Sequence, residues 1–169
     1  CSKEASGNST GKITHGIGSD NSRHRGAGVD VKAKATFNMY GGNISENESN
    51  GEGGVNVDSG AVFNMYGGSI ANNTALNTTG NGGGVSNSGT FTMTGGTISG
   101  NKGGVNNGGG GGGVGNYGTF TMSGTAVIGG TKAEDANTGC NGGGVYNNSN
   151  STFNFNGGAI IGNEASKNG

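Results

Sequence analysis

Residues 89–101 read GTFTMTGGTISGN, and this phrase decides the fold because the chain repeats it. Residues 61–73, AVFNMYGGSIANN, are a looser copy, and residues 118–124 begin the same way, as GTFTMSG. Within the phrase, TFTMT alternates apolar and polar residues, which is the two-residue period of a β-strand with one buried face. The phrase therefore predicts a short strand, a glycine-rich turn and a second short strand.

The same order of apolar residues recurs in five periods along the chain. A glycine-rich stretch precedes a valine in each period, at Val29, Val55, Val85, Val114 and Val145, with steps of 26, 30, 29 and 31 residues. The phenylalanines that follow are Phe37, Phe63, Phe91, Phe120 and Phe153, and two residues after them stand Met39, Met65, Met93, Met122 and Phe155. The isoleucines that come last are Ile44, Ile70, Ile98, Ile128 and Ile160. Each period therefore supplies three short strands.

Three strands per period predict an all-β fold: a parallel β-helix (β-solenoid) with one coil per period and five to six coils in all. A single coil cannot bury its apolar face, but coils stacked about 4.8 Å apart bury Phe on Phe, Met on Met and Ile on Ile. Parallel crossovers favour a right-handed helix. Residues 26–169 are expected to form the five-coil repeat domain, and residues 1–25 a degenerate N-terminal coil, a cap or a linker.

Asparagines recur at two places in the period. Three residues after the isoleucine stand Asn47, Asn73, Asn101, Thr131 and Asn163, and two residues after the valine stand Val31, Val57, Asn87, Asn116 and Asn147. A column of Asn at a bend can form hydrogen bonds from side chain to side chain along the stack. The alternative is that Asn only tolerates left-handed turn conformations at these positions. The fixed register favours the ladder, and both explanations are structural.

The composition agrees with a folded repeat rather than with a fibrous or disordered chain. Gly is 43 of the 169 residues and Pro is absent, yet Gly lacks the three-residue period of collagen. The net charge is −1, whereas disordered chains usually carry a high net charge and nucleic-acid-binding surfaces are basic. The basic cluster Arg23-His24-Arg25 is short, as in a solvated loop. No apolar run approaches the roughly 18 residues of a transmembrane segment.

The motif I-x-x-N-x-A followed by G-G-G-V is present as residues 70–85, IANNTALNTTGNGGGV, and in related forms at 44–55 and 128–145. It resembles the repeat of bacterial β-helix surface proteins, in particular the polymorphic outer-membrane-protein repeat with its F-x-x-N and G-G-A-[ILV] motifs. The resemblance covers residues 26–169, with Ile in place of the family's first Phe and Gly or Glu in place of the Ala of G-G-A. It implies a secreted, surface-exposed protein that acts in adhesion or as a stalk, and it implies no catalytic residue.

Candidate catalytic and metal-binding residues do not cluster in the repeat pattern. Asp30 and Asp58 fall one and three residues after their valines, which favours two unrelated surface charges over a close carboxylate pair. His15 and His24 have no partner at metal-ligand spacing. The charged residues that follow the third strand are typical of a solvated edge: Glu46, Glu48, Lys102, Lys132 and Glu164. We therefore expect no enzymatic activity, no cofactor and no bound metal.

The outward side of the second strand is the candidate ligand-binding surface. If Phe and Met point inward, the residues beside them point outward: Thr36, Asn38, Tyr40, Val62, Asn64, Tyr66, Thr90, Thr92, Thr94, Thr119, Thr121, Ser123, Thr152, Asn154 and Asn156. The predicted ligand residues among these are Tyr40, Tyr66, Thr90, Thr92, Thr94, Thr119 and Thr121. Tyr40 above Tyr66 is suited to stacking on a sugar ring of a host or microbial glycan, and a flat array of Thr is suited to an ice lattice. The alternative is that Thr and Tyr are simply good residues for an exposed strand.

The two cysteines, Cys1 and Cys140, are too far apart for an internal disulfide in a straight rod. Four coil steps separate them by roughly 20 Å, and a disulfide needs Cα atoms within about 7 Å. Each cysteine remains a candidate for a disulfide with another chain. Cys1 also has the position of a lipid-modified N-terminal residue.

The last coil has no polar cap in its sequence, so its strands are expected to have unpaired edges. Either the chain is a fragment of a longer solenoid, or subunits stack head to tail into a filament. The sequence thus favours a non-enzymatic extracellular or cell-surface structural protein, a unit of a fibre, stalk or adhesin. A binding module for glycan or ice is the alternative, and a polysaccharide-active enzyme is the least supported.

Overall fold

The computed structural model describes residues 11–18, 27–76, 82–104 and 110–167, and it confirms the predicted fold class. The chain is all-β, and about five coils of parallel strands stack into a β-solenoid with three main strands per coil. Within those ranges the helical structure is one 3₁₀ turn, Ala133–Asp135. The handedness of the coil stays a prediction.

The second strand of every full coil joins one five-stranded parallel sheet, which we call the Phe sheet. Its strands are Thr36–Met39, Val62–Met65, Thr90–Met93, Thr119–Met122 and Thr152–Phe155. Each pairing sets Phe beside Phe, with ring centroids 4.7–5.1 Å apart. Phe63, Phe91 and Phe120 are fully buried. The predicted phenylalanine column is confirmed, and burial of each such ring stabilises the stack by about 1.5–3 kcal/mol.

The first and third strands form two further parallel sheets. The Val sheet contains Val29–Val31, Val55–Val57, Val85–Asn87, Val114–Asn116 and Val145–Asn147. The Ile sheet contains Lys12–Thr14, Asn43–Ser45, Ser69–Ala71, Thr97–Ser99, Val127–Gly129 and Ala159–Ile161. Valine pairs with valine and isoleucine with isoleucine, as at Val85 with Val114 and Ile98 with Ile128. The side chains of all three sheets meet in one continuous core.

A fourth, two-residue strand follows the Ile sheet, and the sequence pattern does not predict it. We call its copies the corner strands: Ile17–Gly18, Glu48–Ser49, Thr74–Ala75, Thr138–Gly139 and Glu164–Ala165. In the third coil a single residue, Lys102, bridges Thr74 and Thr138 instead. The second residue of a corner strand is small and faces the interior, since Ser49 and Ala75 are 1% and 0% exposed.

A column of asparagines runs along the bend between the Ile sheet and the corner strands. It consists of Asn47, Asn73, Asn101, Asn137 and Asn163, and we call it the inner ladder. From each coil to the next, a side-chain Nδ2 donates to the following Oδ1 over 2.8–2.9 Å. The first four members are at most 1% exposed. The predicted asparagine ladder is confirmed.

The prediction of Thr131 as the fourth ladder member is wrong. Thr131 is exposed, and Asn137, six residues later, occupies the ladder position. The fourth coil inserts the extra residues as a loop that contains the 3₁₀ turn Ala133–Asp135. The loop packs back on the preceding coil, where Gly100 N–H donates to the Asp135 carbonyl at 3.0 Å. The insertion therefore leaves the register of the stack unchanged.

Each interior member of the inner ladder satisfies its whole amide group. Asn101 donates through Nδ2 to Asn137 Oδ1 and to the Ile70 carbonyl, both at 2.9 Å. Its Oδ1 accepts from the side-chain Nδ2 and the backbone N–H of Asn73, at 2.9 and 3.0 Å. Buried polar groups are stable only with such partners. The ladder thus links the bend of each coil to the bend of the next coil by hydrogen bonds.

A second, shorter ladder lies at the ends of the Val-sheet strands. Asn87 donates to Asn116 at 2.8 Å, and Asn116 donates to Asn147 at 2.7 Å. In the first two coils Val31 and Val57 take the same position and are buried among the core side chains. The position therefore accepts either an apolar side chain or a hydrogen-bonded amide.

The second glycine of the phrase TMTGGT is required by the turn between the Phe and Ile sheets. Gly96 has φ of +84°, and Gly42 and Gly68 at the same place have +86° and +90°. A Cβ on Gly96 would lie 2.7 Å from Met65 Cε and 2.8 Å from the Gly68 carbonyl oxygen. Only glycine suits a left-handed position that is also this closely packed.

Part of the segment 1–25 belongs to the stack. Lys12–Thr14 pairs in parallel with Asn43–Ser45, and Ile17–Gly18 pairs with Glu48–Ser49. Residues 1–10 and 19–26 lie outside the described residues. Cys1, the Arg23-His24-Arg25 cluster and the predicted domain boundary between residues 25 and 26 fall there.

Candidate functional site: the outward face of the Phe sheet

The residues that alternate with the buried Phe and Met positions form one surface, which we call the outer Phe face. It contains Thr36, Asn38 and Tyr40; Val62, Asn64 and Tyr66; Thr90, Thr92 and Thr94; Thr119, Thr121 and Ser123; and Thr152, Asn154 and Asn156. All of them are at least partly exposed. The structure brings all seven predicted ligand residues together here, including Tyr40, Tyr66 and the five threonines.

The two tyrosines of this face form an ordered pair. Tyr40 and Tyr66 stack with ring centroids 4.9 Å apart and an interplanar angle of 12°. They are 75% and 47% exposed, which are high values for aromatic side chains. In the third coil the same position holds Thr94, and beyond it Ser123 and Asn156. The aromatic part of the face is therefore confined to the first two coils and ends in a step down from Tyr66 to Thr94.

Unused hydrogen-bonding groups lie beside the tyrosine pair. Asn64 Nδ2 donates to Asn38 Oδ1 at 2.9 Å. Within the described part of the chain, the other halves of these amides, Asn38 Nδ2 and Asn64 Oδ1, have no partner, and neither do the hydroxyls of Thr92 and Thr94. Sequence reasoning placed the two asparagines on this side but gave no reason to single them out. Only the paired geometry shows which half of each amide is left free.

The outer Phe face carries no ionisable group except the two phenols. None of its 15 positions holds Asp, Glu, Lys, Arg or His. Among the described residues, charged pairs lie on other sides of the coil. Examples are Lys12 with Glu46, Lys32 with Asp30 and Lys132 with Glu134. The face is therefore a neutral, polar surface on a chain that has its charges elsewhere.

The prediction that Asp30 and Asp58 are unrelated surface charges is wrong. Lys32 Nζ lies 2.5 Å from Asp30 Oδ2 and 3.5 Å from Asp58 Oδ2. Asn56 Nδ2 donates to both carboxylates, at 2.9 and 3.0 Å. The hydrogen bond to Asp30 is the largest cause that raises the pKa of Lys32. Because an ammonium bridges the two carboxylates, the group is an ion-pair network rather than a free acid–base pair.

A second polar cluster lies where the first described strand meets the Ile sheet. Glu46 Oε2 accepts from the Thr14 hydroxyl at 3.1 Å and from Lys12 Nζ at 3.5 Å. The hydrogen bond from Thr14, followed by the charge of Lys12, lowers the pKa of Glu46. His15 Nε2 stands 3.8 Å from the same oxygen. The cluster is exposed, in keeping with a solvated edge.

Another tyrosine pair lies away from the outer Phe face. Tyr117 and Tyr146 have centroids 5.9 Å apart and are tilted by 54°, so they do not stack. Burial raises the pKa of Tyr117 to about 12, with smaller contributions from Tyr146 and Glu52. Tyr146 occupies the middle of the strand Val145–Asn147.

The thiol of Cys140 is free and only 2% exposed. A disulfide from Cys140 to another chain would therefore require the bend around it to open. Cys1, the other predicted partner, lies outside the described residues.

Two classes of site have no candidate in the described ranges. No group of three or more His, Cys, Asp or Glu side chains is placed to hold a metal ion there. No helix in those ranges has the length and apolar character needed to cross a membrane.

Comparison of the chain with models of known families, with curated proteins and with solved structures finds no significant match.

Proposed function

We propose that this chain is a non-enzymatic structural repeat protein, a unit of a fibre, stalk or adhesin outside the cell or on its surface. The observation that carries the proposal is that the repeated residues are used for stacking. The Phe, Met, Ile, Val and inner-ladder residues of the repeat all occupy columns that run along the coil axis. A solenoid of this kind is extended by nearest-neighbour contacts and forms a rod. The extracellular location is supported by the resemblance to polymorphic outer-membrane-protein repeats alone.

We further propose that copies stack head to tail through their terminal coils. Each main strand of the fifth coil is paired on one side within the described residues. Phe155 and Ile161 of this coil are 53% and 41% exposed. A strand edge with exposed apolar side chains is a template for another strand. A head-to-tail contact joins two different surfaces, so it extends into a filament.

Electron microscopy and light scattering across protein concentration test this proposal. We expect rods longer than one chain and a mean mass that rises with concentration. Phe155→Asp should abolish the growth because it places a charge on the edge that stacks. Thr121→Asp carries the same charge on the outer Phe face and should leave it unchanged. A mass of 16.3 kDa at every concentration would contradict the filament.

A second candidate function is binding through the outer Phe face, to glycan or to ice. The neutral, polar character of this face and its stacked tyrosines favour it. Thermal-hysteresis measurements at high protein concentration test the ice alternative, for which the candidate residues are the neighbouring threonines Thr90, Thr92, Thr94, Thr119 and Thr121. Absence of thermal hysteresis would exclude ice binding and leave glycan as the ligand class for this face.

A further inference from the structure

We propose that the outer Phe face binds an uncharged glycan chain at the step between Tyr66 and Thr94. This proposal rests on the second candidate function and narrows it to one ligand class and one place. The sugar ring lies with its C–H face on Tyr66 and its hydroxyl edge over Thr92, Thr94 and Asn64.

The step exposes the one surface that a sugar ring needs for stacking. Tyr40 covers one face of the Tyr66 ring at 4.9 Å. The neighbouring position on the opposite side holds Thr94, whose side chain is too short to cover the second face. Tyr66 is accordingly 47% exposed although it has neighbours in both adjacent coils. Aromatic faces pack well against flat apolar surfaces, and the phenol keeps a polar tip in water.

Hydrogen-bonding groups without partners surround the same step. The free ones are Asn64 Oδ1, which accepts, and the hydroxyls of Thr92 and Thr94, which donate or accept. Further along the face, Thr121 instead accepts from Asn154 Nδ2 at 3.3 Å. The hydroxyls of a sugar ring need such a mixed set of donors and acceptors on one side and an apolar surface on the other. The step supplies both within two neighbouring coils.

The absence of charge on the face favours neutral ligands over acidic ones. No cation on the 15 positions can pair with a carboxylate or sulfate group of an acidic polysaccharide. Desolvation of a ligand charge without a partner is costly. A neutral chain of pyranose rings loses nothing by this absence. A partner protein fits less well, since interface cores are enriched in apolar and aromatic residues and this face is mostly Thr and Asn.

Tyr40 is a positioning residue in this arrangement. It does not border the step, but its ring supports the back of Tyr66 at an angle of 12°. Loss of Tyr40 leaves the binding surface in place and frees the Tyr66 side chain to rotate. Its contribution to binding should therefore be smaller than that of Tyr66.

Isothermal titration of the full chain with cellohexaose tests the proposal, because the ring substituents of this neutral glycan are equatorial and leave flat C–H faces. Each variant replaces a residue by the one that occupies its position in the third coil. We expect Tyr66→Thr to weaken binding by about tenfold or more, or about 1.4 kcal/mol. We expect Tyr40→Thr and Asn64→Thr to weaken it two- to threefold, and Tyr146→Ser, outside the face, to leave it unchanged. Thermal melts of all variants confirm that they fold.

If wild type and Tyr66→Thr bind cellohexaose with equal affinity, the proposed location is wrong. If hexagalacturonate binds as tightly as cellohexaose, the proposed neutral ligand class is wrong. Absence of cellohexaose binding together with thermal hysteresis would overturn the glycan but uphold binding through this face. A lateral dimer that Tyr66→Thr dissolves would identify a second copy as the occupant and overturn the proposal. Filament formation is measured separately and depends on Phe155 rather than on Tyr66, so the two proposals fail independently.

Discussion

The inner ladder and the Asn38–Asn64 pair use the same contact in opposite surroundings. In both, one amide Nδ2 donates to the Oδ1 of the asparagine in a neighbouring coil, at 2.9 Å for Asn73 to Asn101 and for Asn64 to Asn38. Asn101 is fully buried and its side-chain amide makes five hydrogen bonds, whereas Asn64 keeps a free Oδ1 at the surface. The same stack of amides therefore stabilises the protein in one place and leaves binding groups available in the other. Burial, not the contact itself, makes the difference.

The largest effect is expected when a charge enters the inner ladder. In Asn101→Asp, the new carboxylate cannot donate to Asn137 Oδ1 or to the Ile70 carbonyl and is buried without a cation. We expect a loss of about 4 kcal/mol in the free energy of unfolding at neutral pH. Burial raises the pKa of the new carboxyl, so the protonated form lowers the loss as the pH falls below that pKa.

Urea denaturation at several pH values measures this effect. Asn64→Asp is the matched control on the outer Phe face and should change the unfolding free energy by less than about 0.5 kcal/mol. Equal losses in the two variants would show that burial does not separate the two stacks.

Removal of the amide alone should cost less. Asn101→Ala leaves Asn73 Nδ2, the Asn73 backbone N–H and the Ile70 carbonyl without their partner in the interior. We expect a loss of about 3 kcal/mol, against less than about 0.5 kcal/mol for Asn64→Ala. Chemical denaturation checks both, and a small loss in Asn101→Ala would mean that water replaces the amide.

A smaller effect is expected at the ladder position of the fourth coil. Asn137→Ala should destabilise the protein by about 2 kcal/mol, because Asn101 Nδ2 and the Asn101 backbone N–H lose their acceptor and the Ile98 carbonyl loses its donor. The loss is smaller than in Asn101→Ala because the next ladder member, Asn163, is only half-buried. Thr131→Ala, at the position predicted from spacing, should have an effect below about 0.5 kcal/mol. A larger drop in melting temperature for Thr131→Ala than for Asn137→Ala would contradict the assignment of Asn137 as the ladder member.

The smallest effect is expected from the exposed cluster around Glu46. Its folded-state pKa is lowered, chiefly by the Thr14 hydroxyl and then by Lys12. The stabilisation is therefore present above the unfolded-state pKa and is lost as the pH falls through the lowered value. Glu46→Gln should be slightly less stable than wild type at neutral pH, and the difference should vanish in acid. Thermal melts of both proteins across pH test this. A stability difference that grows as the pH falls would contradict the predicted direction.

The columns of the core could be predicted because spacing within the strands is rigid. Phe91 and Met93 are two residues apart in a structure whose side chains alternate, so their common burial follows from the sequence. Ladder position in the fourth coil could not be counted from Ile128, since the intervening loop is free to change length. A better signal is an Asn followed two residues later by a small residue, as in Asn137-Thr138-Gly139. The small residue marks the buried side of a corner strand.

The candidate site was predictable as a surface but not as a set of contacts. Alternation alone places Tyr40 and Tyr66 outside, and the register places one above the other. Sequence reasoning could not show which half of the Asn38 and Asn64 amides stays free. It also missed that Lys32 reaches both Asp30 and Asp58, because a long flexible side chain can connect positions that the repeat does not align.

The inner ladder has an electrical consequence for the whole rod. The Nδ2 of Asn47, Asn73, Asn101 and Asn137 each donates to the Oδ1 of the next coil in chain order, so the side-chain carbonyls of the ladder point the same way and their dipoles add along the axis. Side-chain amides aligned in this way resemble the aligned peptide groups of a helix, with partial negative charge toward the first coil and partial positive charge toward the last. Two such rods attract when opposite ends meet and repel when like ends meet. The direction of the ladder would thus give any assembly of stacked copies a single polarity.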